Sequence, residues 1–287
     1  MNQVRVSVIV PAYNSAQWLA SSIGSVLAQT MPDLEVIIVN DGSTDRTAAV
    51  ADGFHDPRVR VLNQHNGGVS AARNKGIEHA KGMFVSFLDA DDGMEPDNLQ
   101  IKLEALKDPA MDWVFGDLIM CDQLLEPTGA VLQGTGGDVL RTILLGTHTA
   151  VPAPCSNILV RRRCFDSGIR FDTQLSNSAD QDIAIQLASN FRYQHIPIPL
   201  NRYRVLPASM SRDIGLYQKD HLALINKAVR SGLLNHPGFR RTCLANANWS
   251  IGGSWWLNAG QRRKALPFFI KAILMRPMLL LRPFRRS

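Results

Sequence analysis

"FVSFLDADDG", residues 84–93, begins as an apolar run and empties into three carboxylates, Asp89, Asp91 and Asp92. Like charges packed this closely raise one another's pKa values and cost stability unless a cation or an open loop relieves them. Two explanations stand at this point. The turn chemistry of Asp-Ala-Asp-Asp-Gly suits an exposed acidic loop. Hard oxygen ligands at the end of a strand also suit Mg²⁺ or Mn²⁺, which keep waters and bridge to substrate phosphates.

Upstream, three more strand patterns precede this one: "VRVSVIV" (4–10) ended by Pro11, "LEVIIVN" (34–40) stopped by "DGSTD", and "RVRVLN" (58–63). Helical spacing separates them. Ser15 to Gln29 places Trp18, Leu19, Ile23, Val26 and Leu27 on one face, and a second helix starts near Ser43 or Thr44. "NGGVSAARNKGIEHA" reads as a glycine loop feeding a third helix. Strands alternating with helices at these intervals predict βαβ units, hence an α/β fold with a mostly parallel, Rossmann-like sheet flanked by helices. Ligands of such sheets bind beyond the carboxyl ends of the strands, where Tyr13, Asn14, Asp41 and the Asp89 cluster all fall. The Gly67–Gly68 amides offer a phosphate seat at a helix start, to which Arg73, one turn on, could add a charge-assisted contact; taken alone, the loop reads first as a plain helix entry. No GxGxxG follows the first strand and no GxxxxGK[ST] occurs, so a dinucleotide cofactor and P-loop nucleotide hydrolysis have no support.

Beyond residue 110 the pattern loosens. "WVFGDLIM" (113–120) and "CSNILVRR" (155–162) read as strands, and "DQDIAIQLAS" (180–189) as a helix opened by Asp180 and Asp182. Carboxylates at a helix start are favoured by the macrodipole. One of the two is a candidate general base, and spacing leaves open which. From His221 the chain is helical in character, with breaks near Asn235–Pro237 and Asn258–Gly260.

At 287 residues, 45% hydrophobic and 20% charged, the chain has the composition of an ordinary globular protein. Cys121, Cys155, Cys164 and Cys243 form no CxxC pair and are expected to be reduced thiols of a cytoplasmic protein. The first strand pattern begins at once, so no signal peptide is expected. No stretch reaches the roughly 18 apolar residues of a membrane span; residues 265–281 are interrupted by Lys271, Arg276 and Pro277. The net charge of +6 divides unevenly: residues 1–220 sum to −6, whereas residues 221–287 carry 12 Lys and Arg and no Asp or Glu. A basic tail of this kind is expected to meet something anionic, a membrane surface or nucleic acid. Nucleic acid is the poorer fit, because aromatic and basic residues do not interleave on a sheet and the Asp cluster would be unused.

Six segments, "VSVIVPAYN", "VNDGSTD", "GGVSAARNKGIEHAKG", "FLDADD", "GIRFD" and "ADQDIAIQLA", resemble in content and order the family-two glycosyltransferases, inverting nucleotide-sugar enzymes of the GT-A fold. The likeness covers about residues 4–212. It implies a GT-A domain over 1–220, with a donor half to about 110 and an acceptor half over 111–220, followed by a basic helical region over 221–287. It also implies roles. Pro11, Ala12 and Tyr13 would line the base pocket and Asp41 would hydrogen-bond the base, usually uracil. Arg73 would lie near the diphosphate or donor sugar. Asp89-Ala90-Asp91 would be the DxD motif, with Asp89 toward ribose and sugar and Asp91 on a Mn²⁺ or Mg²⁺ ion. Asp180 would be the catalytic base.

The implied reaction moves a sugar from a nucleoside diphosphate-sugar, a UDP-sugar by family habit, to a saccharide or lipid-linked acceptor. Cell-surface polysaccharide assembly at the inner face of the membrane is the implied setting. Two positions depart from the family pattern. Ala179 stands where a Glu precedes the base, and in "YRVLPASMS" (203–211) Leu206 stands where a His is common. These departures keep an alternative in play: a non-catalytic nucleotide-sugar-binding protein with a degenerate site.

Overall fold

The computed structural model describes residues 4–206 and 213–281. Two compact units emerge, one formed by residues 1–139 with 150–206 and the other by 140–149 with 207–287.

The first unit is built on one mixed sheet. Strands β1 (Val6–Ala12), β2 (Leu34–Asp41), β3 (Val59–Gln64) and β4 (Phe84–Phe87) are parallel, in the order β3-β2-β1-β4. Every residue of β1, β2 and β4 is buried, as expected for strands covered on both faces. Successive side chains of β1 alternate between two layers. Val6, Val8 and Val10 join a core with Leu19, Ile23 and Val26 of α1 (Leu19–Leu27) and with Leu99 and Leu103 of α4 (Asn98–Ala105). Ile9 points the other way, against Gly76 of α3 (Val69–His79), where a Cβ would stand 2.3 Å from Ile9 Cγ2. Only a glycine lets α3 lie this close to the sheet, and α3 carries Arg73 one turn earlier.

Strand β1 runs through Pro11 rather than ending at it. Ile9 O accepts from Leu88 N at 3.0 Å, so Ile9, and by alternation Pro11, turn their backbone groups toward β4. Pairing with β4 stops at Ile9↔Phe87, and the proline therefore breaks no ladder bond while still lying opposite Val39.

Past β4 the sheet changes character. β8 (Ile158–Arg161) pairs antiparallel with β4 and with β6 (Trp113–Cys121). β6 pairs parallel with β9 (Tyr193–Arg204), which pairs antiparallel with the two-residue β5 (Gly93–Met94), and β7 (Pro127–Leu132) hangs off β6. Strand β9 has no counterpart in the sequence reading. Its Pro197 and Pro199 argue against a strand, and the sheet absorbs them by register shifts on either side of Asp117.

A fully buried lysine lies between α4 and the strands β8 and β9. Lys102 of α4 sets its Nζ 3.2 Å from Asn201 Oδ1 and 3.4 Å from Asn157 Oδ1, and burial pulls its pKa down to about 7. Both acceptors keep another donor, Asn98 Nδ2 at 2.7 Å and Gly116 N at 3.1 Å respectively. Lys102→Met therefore orphans neither, and the native state no longer has to disfavour a charged amine. The lysine penalty is full below pH 7 and fades as pH rises toward the ordinary lysine value near 10.5. The methionine variant should thus unfold at higher urea than wild type at pH 7, with a smaller gap at pH 9; a gap that widens with pH would contradict this.

The second unit is helical. Helix α9 (Ile214–Arg230) is capped by Asp213, which accepts from Leu216 N at 2.9 Å. The break near Asn235–Pro237 is the start of α10 (Pro237–Gly253), with the proline in its first turn. A π-helical turn (Ser254–Asn258) leads to α11 (Arg262–Met275) and a 3-10 turn (Pro277–Leu281). Helices α10 and α11 pack closely: a Cβ at Gly252 would lie 2.7 Å from the Phe269 ring. Among the described residues no helix is long and apolar enough to cross a membrane.

Candidate active site

Strand order reverses at β1, which has β2 on one side and β4 on the other. Open α/β sheets bind ligands at such a switch point, outside the carboxyl ends. Each residue expected there lies in this first unit, though not always in the expected contact.

At the end of β1, Tyr13 is about half exposed (48%) and Asn14 adopts the left-handed conformation (φ 49°). That turn aims Asn14 Oδ1 at the "DGSTD" loop, where it accepts from Thr44 N at 2.8 Å and Asp45 N at 3.3 Å. The loop is thereby tied to the β1 end, leaving the Tyr13 ring open to solvent.

Asp41, at the end of β2, is buried and bound from within the protein. Its Oδ1 accepts from Gln64 Nε2 at 2.7 Å and Gly67 N at 2.8 Å, and its Oδ2 from Gly68 N at 2.8 Å. Of the two readings of the Gly67–Gly68 loop, the phosphate seat is the one that fails, because both amides are spent on Asp41. A carboxylate has about four acceptor sites, so Oδ2 retains one for a single ligand N–H. Gly68, at φ +85°, adopts a conformation that side chains disfavour.

The acidic triplet resolves into three different environments. Asp89 Oδ1 accepts from Arg73 Nη2 at 2.5 Å. Asp92 is buried and structural: its Oδ2 accepts from Ser156 Oγ at 2.7 Å and its Oδ1 from Arg204 N at 3.0 Å. Burial, then Asp91 and Asp89, push its carboxyl well above the usual range. Asp91 lies between them, its carboxyl raised to about 6 by burial and by Asp89. Arg204, absent from the sequence reading, donates from Nε to Asp91 O at 2.6 Å and from Nη1 to Gln123 O, and stacks over Trp18 at 4.4 Å. It braces the turn from behind; its one sequence signal was its place inside the quoted "YRVLPASMS".

Arg73 is the hub. It is buried, with its guanidinium 5.3 Å from the Phe171 ring centroid and its Nε without a partner. Burial alone would loosen its proton, but Cys155, Asp89 and Asp180 hold it and raise its pKa. Burial pushes the Cys155 thiol well above its ordinary value, so it is neutral near pH 7 and the two carboxylates are the charges that count.

Asp180 sits in the first turn of α8 (Ala179–Asn190) and accepts from Gln181 N at 2.7 Å. Burial raises its carboxyl to about 6 against the pull of Arg73. Asp182 faces elsewhere, buried and accepting from Gln186 Nε2 at 2.7 Å. Ala179 is fully buried. Leu206 closes the described part of this unit, and residues 207–211 of "YRVLPASMS" lie outside the described residues.

Among the described residues no three His, Cys, Asp or Glu side chains converge as a ready metal centre. The arrangement still fits a hard divalent cation. Mg²⁺ and its like bind through one or two carboxylates plus substrate phosphates, and Asp91 is a partly buried carboxylate whose own neighbour disfavours its charge.

A parallel βαβ half with paired carboxylates at its switch point, joined to a half of mixed parallel and antiparallel pairing, is the layout of the GT-A fold. Residues 7–167 match the family described as Glycosyl transferase family 2. Hyaluronan synthase of Pasteurella multocida is 30% identical over 239 residues, covering 79% of this chain and 23% of that protein. S. aureus TarS 1–349, solved in complex with UDP-GlcNAc, superposes with a TM-score of 0.63 at 16% identity, over 99% of this chain and 94% of that one. Mannosyltransferase PcManGT from Pyrobaculum calidifontis, solved with GDP-Man and Mn²⁺, gives 0.58 at 20% identity, over 94% and 86%. The chain belongs to glycosyl transferase family 2. It spans about a quarter of the length of the curated relatives it matches first (23%).

Proposed function

We propose that this chain is an inverting glycosyltransferase that moves a sugar from a nucleoside diphosphate-sugar, by resemblance a UDP-sugar, to a hydroxyl of a saccharide or lipid-linked acceptor. The observation that carries the reading is Arg73, a buried cation paired with Asp89 at 2.5 Å and within the electrostatic reach of Asp180. Membership of the family supports the reaction class. Hyaluronan synthase among its relatives supports a role in polysaccharide assembly.

In this reading Pro11, Ala12 and Tyr13 form the wall against the base, and Asp41 offers its remaining Oδ2 acceptor to a base N–H. Arg73 faces the diphosphate, with Asp89 holding its plane. Asp91, with Asp89 beside it, would hold Mn²⁺ or Mg²⁺, which supplies positive charge next to the leaving diphosphate. The acceptor oxygen attacks the anomeric carbon as Asp180 takes its proton. The bond from that carbon to the phosphate oxygen breaks, and the nucleoside diphosphate leaves with the electron pair. Attack from the face opposite the leaving group inverts the centre. Charge grows on the diphosphate during this step, so a fixed guanidinium there favours the transition state over the ground state.

Asp180 suits a base at neutral pH, since a carboxyl raised to about 6 is still ionised at pH 7 yet holds a proton better than an ordinary one. The test is release of nucleoside diphosphate from a panel of nucleotide-sugars with Mn²⁺, with and without a crude bacterial lipid extract as acceptor. Turnover that the extract accelerates is the expected result. Tight donor binding with no turnover on any donor would instead favour the non-catalytic binding protein.

A further inference from the structure

The second unit presents an apolar row that its own core does not use. Helix α11 buries Ala265, Phe269 and Ala272, packing with Ala245 and Leu279. On another side it exposes Leu266, Ile270 and Leu274, and the 3-10 turn continues with Met278 and Leu280. Leu274 and Met278 are nearly three-quarters open (73% and 72%). Steps of four residues place Leu266, Ile270 and Leu274 along one helix face. Exposed apolar side chains aligned on one helix face, rather than scattered singly, mark an interaction surface.

Charge identifies the occupant. The last 67 residues contain 12 Lys and Arg and no Asp or Glu, and Arg262, Arg263, Lys264, Lys271 and Arg276 of the same segment are exposed around the row. Beside it lies a groove of about 490 Å³ lined by Pro237, Leu244 and Leu274 together with Arg240, Arg241 and Lys271. The preceding π-helical turn sets Lys264 4.4 Å from the Trp255 ring and Arg262 5.1 Å from the Trp256 ring. Tryptophans with basic neighbours at one end of a helix that exposes an apolar row among Lys and Arg are the composition of an interfacial segment. A second copy is disfavoured, because the two faces would bring bases against bases with no acid to offset them. Nucleic acid offers phosphate but nothing for an aliphatic row.

We propose that this face of α11 docks on an anionic lipid bilayer. Leu266, Ile270, Leu274 and Met278 enter the boundary of headgroups and acyl chains, and the surrounding Arg and Lys meet lipid phosphates. This surface stands apart from the reaction proposed above and is tested without it.

The test is co-sedimentation of the full chain with phosphatidylcholine vesicles, with and without phosphatidylglycerol. Binding should need the anionic lipid and weaken as salt rises. Ile270→Ser/Leu274→Ser changes exposed side chains and should lower the partition coefficient at least about tenfold, with circular dichroism unchanged. Arg263→Gln/Lys271→Gln removes two charges and should cost roughly tenfold or more on anionic vesicles, which keeps the proposal testable if the serine variant misfolds. Wild type remaining in the supernatant with anionic vesicles overturns the proposal. So does vesicle binding by both variants equal to wild type. Capture of a random duplex oligonucleotide or of polyglutamate, or self-association lost in the serine variant, in place of vesicle binding would assign the face to another partner.

Discussion

Asp180→Asn is expected to lower sugar transfer by about 10²–10⁴-fold, the usual contribution of a positioned general base. The amide keeps the shape of the carboxylate but cannot take the acceptor proton. Donor affinity should stay close to wild type, because the contacts proposed for the nucleotide come from the other strand ends. Asp182→Asn should do far less. Asp182 is buried and accepts from Gln186 Nε2, and two residues along a helix its side chain points well away from that of Asp180. The pH profile supplies the sign. The base must be ionised to act, so at saturating donor and cation, which keep Asp91 ionised, the wild-type rate should climb with pH through about 6 and level off above it. A crippling Asp182→Asn with a mild Asp180→Asn, or a wild-type rate that falls through that range, would show that the base has been assigned to the wrong carboxylate.

Asp91→Ala should abolish most metal-dependent donor turnover, as should excess chelator on wild type, while the protein remains folded. The stability half of this expectation has its own sign. The Asp91 carboxyl is raised to about 6 in the folded chain from an ordinary 3.8. The folded state therefore binds its proton more tightly than the unfolded one, and stability from this group is present at low pH and lost as pH rises through about 6. At pH 7.5 the ionised carboxylate is a cost, and alanine removes it. The variant should be inactive yet melt at the same temperature as wild type or higher, the pattern of a residue kept for function against stability. Full activity in chelator, or a variant that unfolds well below wild type, would contradict the role given to Asp91.

The parallel half of the sheet was legible because its signals are local. A strand buried on both faces must be an unbroken apolar run, and β1, β2 and β4 are; their ends are marked by Tyr13, Asp41 and Asp89. Contacts made by distant residues were not legible. Asp41 reads as a ligand contact, yet three of its acceptor sites are filled by Gln64, Gly67 and Gly68, some 25 residues on. The glycine amides left a phosphate seat open for the same reason, since nothing in "NGGVS" says that an aspartate from the neighbouring strand will claim them. Asp92 has no role in the sequence beyond standing beside the Asp89–Asp91 pair, and it is a latch, satisfied by Ser156 and Arg204. Strand β9 was hidden by Pro197 and Pro199, which local propensity weighs against a strand and which register shifts accommodate. The apolar row of α11 needed coordinates too, because sequence alone does not say which side of a short helix its core will cover.

The carboxyl end of this sheet is proposed above as a site for a nucleoside diphosphate together with a divalent cation. Thermal unfolding of the full chain with a panel of nucleoside diphosphates and their sugars, each with and without Mn²⁺, tests it most directly, since a ligand of the native state must raise its apparent stability. The expected result is an upward shift with one diphosphate, UDP foremost, that is large with Mn²⁺, small without it, and lost in Asp91→Ala. No shift with any diphosphate in the presence of the cation, or a shift that survives unchanged in Asp91→Ala and in chelator, would contradict it.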